Sequence, residues 1–218
     1  MNDVLPRAVI FDWDNTLLDS WGAIADAMNA TLAHFRRPLW TLQEVKAECT
    51  RSARESFPEW FGDRWQEASD VFYGQFKQSP LKNLSPLNGS VELLQWLSQN
   101  DIPAVIVSNK NGDFLRREAE FLGWKPYLAA IVGATDAPRD KPAREHADHA
   151  LQLAGLKAGP DVWFAGDSEP DIACARNAGC TPVLIGHANM AQKLGVDMFF
   201  ADCAALLALL RQRHRARA

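Results

Sequence analysis

Acidic residues follow two short apolar runs of the sequence. Asp12 and Asp14 come after Ala8–Phe11, and Asp167 comes after Val162–Ala165. Carboxylate oxygens are ligands that Mg²⁺ prefers, and an aspartate can attack phosphorus to form an aspartyl phosphate. Asp12 is the best placed nucleophile, while Asp14 could protonate the leaving alkoxide and then activate water. The pattern points to metal-assisted phosphoryl transfer, with Asp12 and Asp167 as metal ligands.

Further polar residues follow two other apolar runs. Ser108 and Asn109 come after Ala104–Val107, and Lys141 stands in the loop after Ala130–Val132. The hydroxyl and the amide can donate hydrogen bonds to phosphate oxygens, and the lysine can neutralise their charge. These three residues are therefore candidates for binding the phosphate on which the acids would act.

The apolar runs themselves indicate the elements that must position these residues. They are typical of fully buried parallel strands and comprise Ala8–Phe11, Ala104–Val107, Ala130–Val132, Val162–Ala165 and Pro182–Ile185. Helical patterns lie between most of them, at Ser90–Gln99, Asp113–Leu122, Arg144–Leu153 and Asp171–Ala178. This alternation predicts an α/β fold with a Rossmann-like, doubly wound parallel sheet. Functional groups of such sheets gather beyond the carboxyl ends of the strands, so one crevice should hold all the polar residues.

The segment from residue 19 to residue 85 interrupts the alternation. It contains no convincing strand, its apolar residues from Trp21 to Phe35 recur at helical spacing, and it holds 10 of the chain's 21 aromatic residues. We expect an inserted helical cap domain over 19–85 with a core of its own. The α/β core domain would then comprise 1–18 and 86–218.

Composition narrows the class of partner. The net charge of −4 provides no field that favours nucleic acid or an anionic membrane, and no apolar run is long enough to span a bilayer. The four scattered cysteines form no CxxC pair and are typical of a reducing cytoplasm. We expect a cytoplasmic protein with a small-molecule phosphate ester as partner, and the oligomeric state is left open.

Taken together, the polar clusters resemble the four motifs of the haloacid dehalogenase superfamily. Residues 12–16 resemble its first motif, DxDxT, and residues 166–171 its fourth, GDxxxD. Ser108 with Asn109 resembles the second motif, and Lys141 with Pro142 the third. A helical insertion directly after the first motif is similar to the C1-type cap of that family. Residues 108–110 and 166–168 are most similar to its phosphoglycolate phosphatase branch.

This resemblance implies a function and a role for each matching residue. The function would be hydrolysis of small phosphomonoesters, with phosphoglycolate as a candidate and Mg²⁺ as cofactor. Asp12 would be nucleophile and metal ligand, Asp14 general acid and base with its backbone carbonyl on the metal, and Asp167 the second acidic ligand. Asp171 would orient Lys141. The phosphate-binding positions would be Thr16, Ser108, Asn109 and Lys110.

The first motif departs from the family at one position. Asn15 stands where the family usually has glycine. Asparagine is one of the few residues that tolerate a left-handed backbone, so we expect the turn after Asp12 to be kept.

Three other functions remain open at this point. A phosphosugar mutase uses the same acids with a cap that retains the intermediate. A 2-haloacid dehalogenase of the same fold needs no second acid, and Asp14 argues against it. A phosphoacceptor signalling domain would carry its acceptor on a middle strand and lack the cap, so Asp12 on the first strand disfavours it.

Two arginines of the cap are candidates for binding the anionic group of a substrate. Arg51 and Arg54 lie three residues apart and would share one face of any helix formed there. The planar fork of arginine can bind a carboxylate with two hydrogen bonds. His146 and His149 are interpreted differently, as an ordinary helix surface, because no third metal ligand has a clear spacing to them.

Overall fold

The computed structural model describes residues 4–78, 81–186 and 188–216. Its strands are β1 (Ala8–Phe11), β2 (Leu18–Asp19), β3 (Ser85–Pro86), β4 (Ala104–Asn111), β5 (Leu128–Ala134), β6 (Val162–Gly166), β7 (Thr181–Ile185) and β8 (Met198–Phe200). Its α-helices are α1 (Trp21–His34), α2 (Leu42–Glu48), α3 (Ala53–Phe61), α4 (Trp65–Gln78), α5 (Ser90–Gln99), α6 (Gly112–Phe121), α7 (Arg144–Leu153), α8 (Glu169–Ala178), α9 (Ala188–Leu194) and α10 (Cys203–Arg215). None of the helices in these described ranges is long and apolar enough to cross a bilayer.

Six strands form one sheet in the order β5-β4-β1-β6-β7-β8, and every neighbouring pair is parallel. The chain builds outward from β1 to β4 and β5, then returns to the other side of β1 for β6, β7 and β8. Ligands of open α/β sheets bind where the strand order reverses in this way. The predicted doubly wound α/β sheet is confirmed, and its reversal point lies at β1 and β6.

Alternate residues of the central strand are buried on opposite faces of the sheet. Val9 and Phe11 belong to the core formed with α5, α6 and α10, which includes Leu93 and Leu206. Ile10 belongs to the core formed with α7 and α8. Because both faces are covered by helices, the strand is apolar throughout, and this is why it can be recognised in the sequence.

Helices α1 to α4 form the inserted region, and they enclose an apolar core of their own that includes Met28, Leu32 and Phe57. The region is entered and left through a short antiparallel ribbon, in which Asp19 pairs with Ser85. The expectation that 19–85 holds no strand is therefore wrong at its two ends, because two-residue strands are too short to produce a recognisable alternation.

The ribbon lies where the chain leaves the sheet for the inserted helices and where it returns from them. We propose on this ground that 19–85 is a cap domain and that 1–18 and 86–218 form the core domain. Residues 1–3, 187 and 217–218 of that core range, and residues 79–80 of the cap range, lie outside the described residues.

Candidate active site

A tight turn at the end of β1 presents Asp12. The Asp12 N–H donates to the carbonyl of Ala165 on β6 at 2.9 Å, which fixes the residue at the junction of the two strands. Asn15 has a left-handed backbone with φ 65°, as expected for asparagine in place of glycine. Its Oδ1 accepts a hydrogen bond from the N–H of Ser20 at 3.2 Å. The turn thereby directs the Asp12 carboxylate into the space beyond the sheet.

Lys141 joins two buried carboxylates. Its Nζ donates to Asp12 Oδ1 at 2.6 Å and to Asp171 Oδ1 at 2.7 Å. The other oxygen of Asp171 accepts from the N–H and the hydroxyl of Ser168, so both oxygens of this carboxylate have partners. A Cβ atom on Gly166 would overlap the Asp171 side chain, and only glycine fits there. Asp171 therefore holds Lys141 against Asp12.

The charges of this group depend on one another. Burial alone lowers the pKa of Lys141, but Asp12 and Asp171 outweigh it and raise that pKa above its ordinary value. Burial raises the pKa of Asp12 to about 7, although the ammonium of Lys141 opposes the rise. Lys141 therefore stays positively charged, and the negative charge of the Asp12 carboxylate needs a further cation to stabilise it.

The backbone of Lys141 is held from two sides. Asn109 Oδ1 accepts from the Lys141 N–H at 3.0 Å, and Asn109 Nδ2 donates to the Lys141 carbonyl at 3.1 Å. The Asn109 amide therefore positions Lys141, a role that the sequence did not suggest. His146 Nδ1 accepts from the same N–H at 3.1 Å, so its Nε2 carries the proton and donates to the Gly133 carbonyl at 3.1 Å.

The interpretation of His146 as a surface residue is wrong. The ring is fully buried because α7 packs onto β4 and β5, whereas His149 on the same helix is half-buried. Burial, assisted by the charge of Lys141, lowers the pKa of His146 to about 4 and keeps the ring neutral. A neutral ring is what the hydrogen bond from the Lys141 N–H requires.

Asp167 follows β6 and completes a group of acidic side chains. Oxygens of Asp12, Asp167 and Asp171 lie within 4.8 Å of one another. Burial raises the pKa of Asp167 well above its ordinary value, and the charges of Asp171 and Asp12 raise it further. Thr16, which is fully buried, donates to Asp167 Oδ1 at 3.3 Å. One lysine does not balance this group of carboxylates, so the site favours a bound cation.

Asp14 belongs to a second buried ion network. Lys110 Nζ lies 2.8 Å from Asp14 Oδ1 and 2.9 Å from Glu118 Oε1. Glu118 Oε2 accepts from the Trp13 indole N–H at 2.8 Å. Burial lowers the pKa of Lys110, but the two carboxylates outweigh it and the pKa is raised. Lys110, expected to bind phosphate, is in this structure the partner of Asp14.

These side chains meet at a cavity of about 570 Å³ between the sheet and the inserted helices. Its floor is polar and comprises Asp12, Asp14, Ser108, Asn109, Lys110, Lys141 and Asp167. Its walls include the apolar side chains of Trp21, Ile24, Phe72, Tyr73, Phe76 and Phe114. Seven of the residues singled out in the sequence for metal, phosphate or proton transfer thus line one crevice, while Thr16 and Asp171 lie buried behind it.

Residues 9–185 match the family described as haloacid dehalogenase-like hydrolase, which is most of the chain and includes all the site residues from Asp12 to Asp171. The chain belongs to this family. Relatives named phosphoglycolate phosphatase include one from Chromobacterium violaceum, 27 % identical over 94 % of this chain and 96 % of that protein. Another, from Rhodospirillum rubrum, is 28 % identical over 93 % of this chain and 90 % of that protein.

Two solved structures have a similar fold over nearly the whole chain. A HAD-superfamily hydrolase from Ehrlichia chaffeensis is 29 % identical, with a TM-score of 0.68 over 96 % of this chain and 98 % of that one. A predicted phosphatase from Clostridium acetobutylicum has a TM-score of 0.84 over 96 % of this chain and 100 % of that one. The latter is 21 % identical, so its likeness bears on the fold alone.

The two candidate arginines of this hydrolase have different surroundings. Ser52 is the N-cap of α3, so Arg51 precedes the helix and Arg54 lies within it. The idea that both lie on one helix face is therefore wrong. Arg51 reaches the rim of the cavity and pairs with exposed Glu59 at 2.6 Å. Arg54 forms two hydrogen bonds, at 2.7 and 3.1 Å, to Asp140 of the core, which is fully buried.

We expect the Arg54 pair to stabilise the protein and the Arg51 pair to contribute little. Arg54→Ala would leave the Asp140 carboxylate buried with its main partner removed, which should cost about 1–3 kcal/mol of unfolding free energy. Arg51→Ala removes an exposed pair and should change that free energy by about 0–1 kcal/mol. Urea unfolding of both variants checks this. Equal losses of unfolding free energy in the two variants would show that the Arg54–Asp140 contact does not stabilise the packing of the cap against the core.

Proposed function

We propose that this hydrolase is a Mg²⁺-dependent phosphatase that hydrolyses small phosphomonoesters through an aspartyl phosphate on Asp12. The observation that carries the proposal is the geometry at the end of β1 and β6. Asp12 is held by Lys141 beside Asp167, and Asp14 lines the same cavity. A nucleophile, a cation site and a proton donor are therefore available to one substrate.

The acidic group has the composition of a magnesium site. Its donors are hard carboxylate oxygens, and its buried negative charge exceeds what Lys141 neutralises. Asp12 and Asp167 would supply side-chain oxygens, with the backbone carbonyl of Asp14 as a further donor. When bound, the ion would neutralise the phosphate oxygens and let an anionic nucleophile approach.

The proposed reaction has two steps, and Asp12 begins the first. Its carboxylate oxygen attacks phosphorus, the bond to the ester oxygen breaks, and Asp14, which must be protonated when the ester binds, gives its proton to the departing alkoxide. In the second step Asp14 takes a proton from water, which attacks the phosphorus of the aspartyl phosphate. Inorganic phosphate leaves and the Asp12 carboxylate is regenerated. Lys141 stays charged throughout and stabilises the negative charge on Asp12 and phosphate.

Ser108 has a hydroxyl proton to offer the substrate. Its Oγ accepts a hydrogen bond from the Lys110 N–H at 3.1 Å and lies at the cavity floor. The accepted bond leaves the hydroxyl hydrogen free to donate. We assign this donor to a non-bridging phosphate oxygen, while Asn109 acts by positioning Lys141.

The relatives named phosphoglycolate phosphatase make phosphoglycolate the first substrate to test. A cytoplasmic location is part of the same proposal, and the four cysteines, all free thiols, suit a reducing compartment.

Release of inorganic phosphate from phosphoglycolate should stop in EDTA and return when Mg²⁺ is added in excess. The reason is that the charges of Asp12 and Asp167 repel each other and the phosphate unless a cation binds between them. Phosphate release is followed colorimetrically, with enzyme in Mg²⁺ alone as the control. Undiminished activity in the chelator would contradict the metal assignment.

A further inference from the structure

Four aromatic residues form a continuous surface on one side of the catalytic cavity. Phe72, Tyr73 and Phe76 come from α4 of the inserted region, and Phe114 comes from α6 of the core. Their ring centroids lie 5.2 to 6.1 Å from their neighbours, and all four side chains line the cavity. We call these residues the aromatic wall.

The aromatic wall begins beside the proposed proton donor. Lys110 Nζ lies 2.8 Å from Asp14 Oδ1 and 5.3 Å from the centre of the Phe76 ring. Because Asp14 would protonate the leaving oxygen, the alcohol part of the substrate must start at Asp14. From there it can extend along Phe76 and Phe114.

The wall is suited to an apolar group rather than to a second anion. Its four residues carry no charge, and Lys110, which lies 5.3 Å from the centre of the Phe76 ring, is already bonded to Asp14 and Glu118. All four side chains are only half-buried, so apolar surface remains for a ligand to cover. A glycolate carboxylate lying on the wall would lose water and gain no ion pair from these four residues, because the other cations of the cavity lining, Lys46, Arg51 and Lys193, lie outside the wall.

The volume of the cavity also exceeds the needs of a small alcohol. At about 30 Å³ per water molecule, the 570 Å³ correspond to roughly nineteen waters. Cavities of a few hundred Å³ with mostly apolar walls are typical of sites for larger organic ligands. Phosphate and a two-carbon acid would leave much of the aromatic wall in contact with water.

We propose that the preferred substrate is a phosphate monoester whose alcohol carries a ring or a similarly bulky apolar group, which packs on the aromatic wall. This specificity rests on the proposed phosphatase function and concerns the same site. Phe76 and Phe114 would then be specificity-determining residues.

The test compares ethyl phosphate with 2-phenylethyl phosphate, which share a primary alkoxide leaving group and differ in the ring. With Mg²⁺ present, kcat/KM should be about ten- to hundred-fold higher for the ester with the ring, as expected for burying one such group. Phe76→Ala and Phe114→Ala should bring the ratio of the two values toward one. Phe121→Ala removes an exposed ring at the end of α6, outside the cavity lining, and should keep the wild-type ratio.

A ratio near one in the wild-type enzyme would overturn the proposal. A full preference retained in both wall variants would also overturn it, because the ring would then bind elsewhere. Calorimetric binding of propylphosphonate and 3-phenylpropylphosphonate, which cannot be hydrolysed, gives the ring preference independently of turnover. If neither ester is hydrolysed while the phenyl compound still binds about ten-fold or more tightly, the phosphatase function fails and the ring site stands. Equal binding of the two phosphonates would show that the cavity has no binding site for the ring.

Discussion

Replacing Asp12 with asparagine should lower turnover by about 10⁴–10⁶-fold, the range for removing one member of a catalytic unit. The amide cannot attack phosphorus, and it carries no charge for a metal ion or for Lys141 to stabilise. The change is nearly isosteric, so the turn after β1 and the hydrogen bond to Ala165 should persist. Phosphate release from phosphoglycolate with Mg²⁺ measures the effect.

Asp26→Asn is the matched control for this substitution. Asp26 is an exposed residue of α1 and does not line the cavity, so its variant should retain wild-type turnover. Circular dichroism and urea unfolding of the Asp12 variant would verify that the fold is intact. Turnover of Asp12→Asn within about ten-fold of wild type would rule out the covalent route, given the loss expected for a nucleophile.

Replacing Lys141 with methionine should damage both activity and stability. The variant would leave Asp12 and Asp171 buried without the ammonium group that contacts both at 2.6 and 2.7 Å. Removing one partner from a buried ion pair costs about 3–5 kcal/mol, and loss of one charge-stabilising group at a reacting centre costs about 10²–10³ in kcat. Urea unfolding and phosphate release measure the two effects separately.

Lys125→Met provides the control for Lys141. Lys125 pairs with Glu120 on the surface, where both side chains are largely exposed, so its variant should change the unfolding free energy by about 0–1 kcal/mol. If Lys141→Met matched this control in stability and kept wild-type kcat, Lys141 would be neither a structural counter-ion nor part of the catalytic site.

The sequence was sufficient to predict how the main elements of the site come together. Each polar cluster directly follows an apolar run, and a parallel sheet brings all such strand ends to one edge. Asp12, Ser108 and Asp167 could therefore be placed in one crevice from local patterns alone. The turn at Asn15 could also be anticipated, because the backbone preference of asparagine is a property of the residue itself.

The partners of these residues could not be predicted in the same way. Glu118 bonds to Trp13 across 105 positions of sequence, and Asp140 bonds to Arg54 across 86. Neither pairing produces a recognisable pattern in the local sequence. Each depends on how a helix packs against the sheet or on where the inserted helices lie. Strand β8 was missed for another reason, since three residues at the sheet edge are too few to show a period.

The roles of Asn109 and Lys110 show the limit of motif reasoning most clearly. Both residues were identified from position in a motif and both line the cavity. Only the geometry shows that Asn109 bonds to the backbone of Lys141 and that Lys110 bonds to Asp14. A motif fixes which residues are present at a strand end, whereas their partners depend on side-chain packing.

Trapping the covalent intermediate tests the central claim most directly. Asp14→Asn should slow release of the aspartyl phosphate because it cannot take a proton from the attacking water, an effect of about 10²–10⁴-fold. The variant is mixed with phosphoglycolate and Mg²⁺, quenched in acid, digested and analysed by mass spectrometry. We predict one added phosphoryl group on the peptide that contains Asp12, and none when Asp12 is also replaced by asparagine. Phosphate release by Asp14→Asn without any phosphorylated peptide, or phosphorylation at a different residue, would contradict the account.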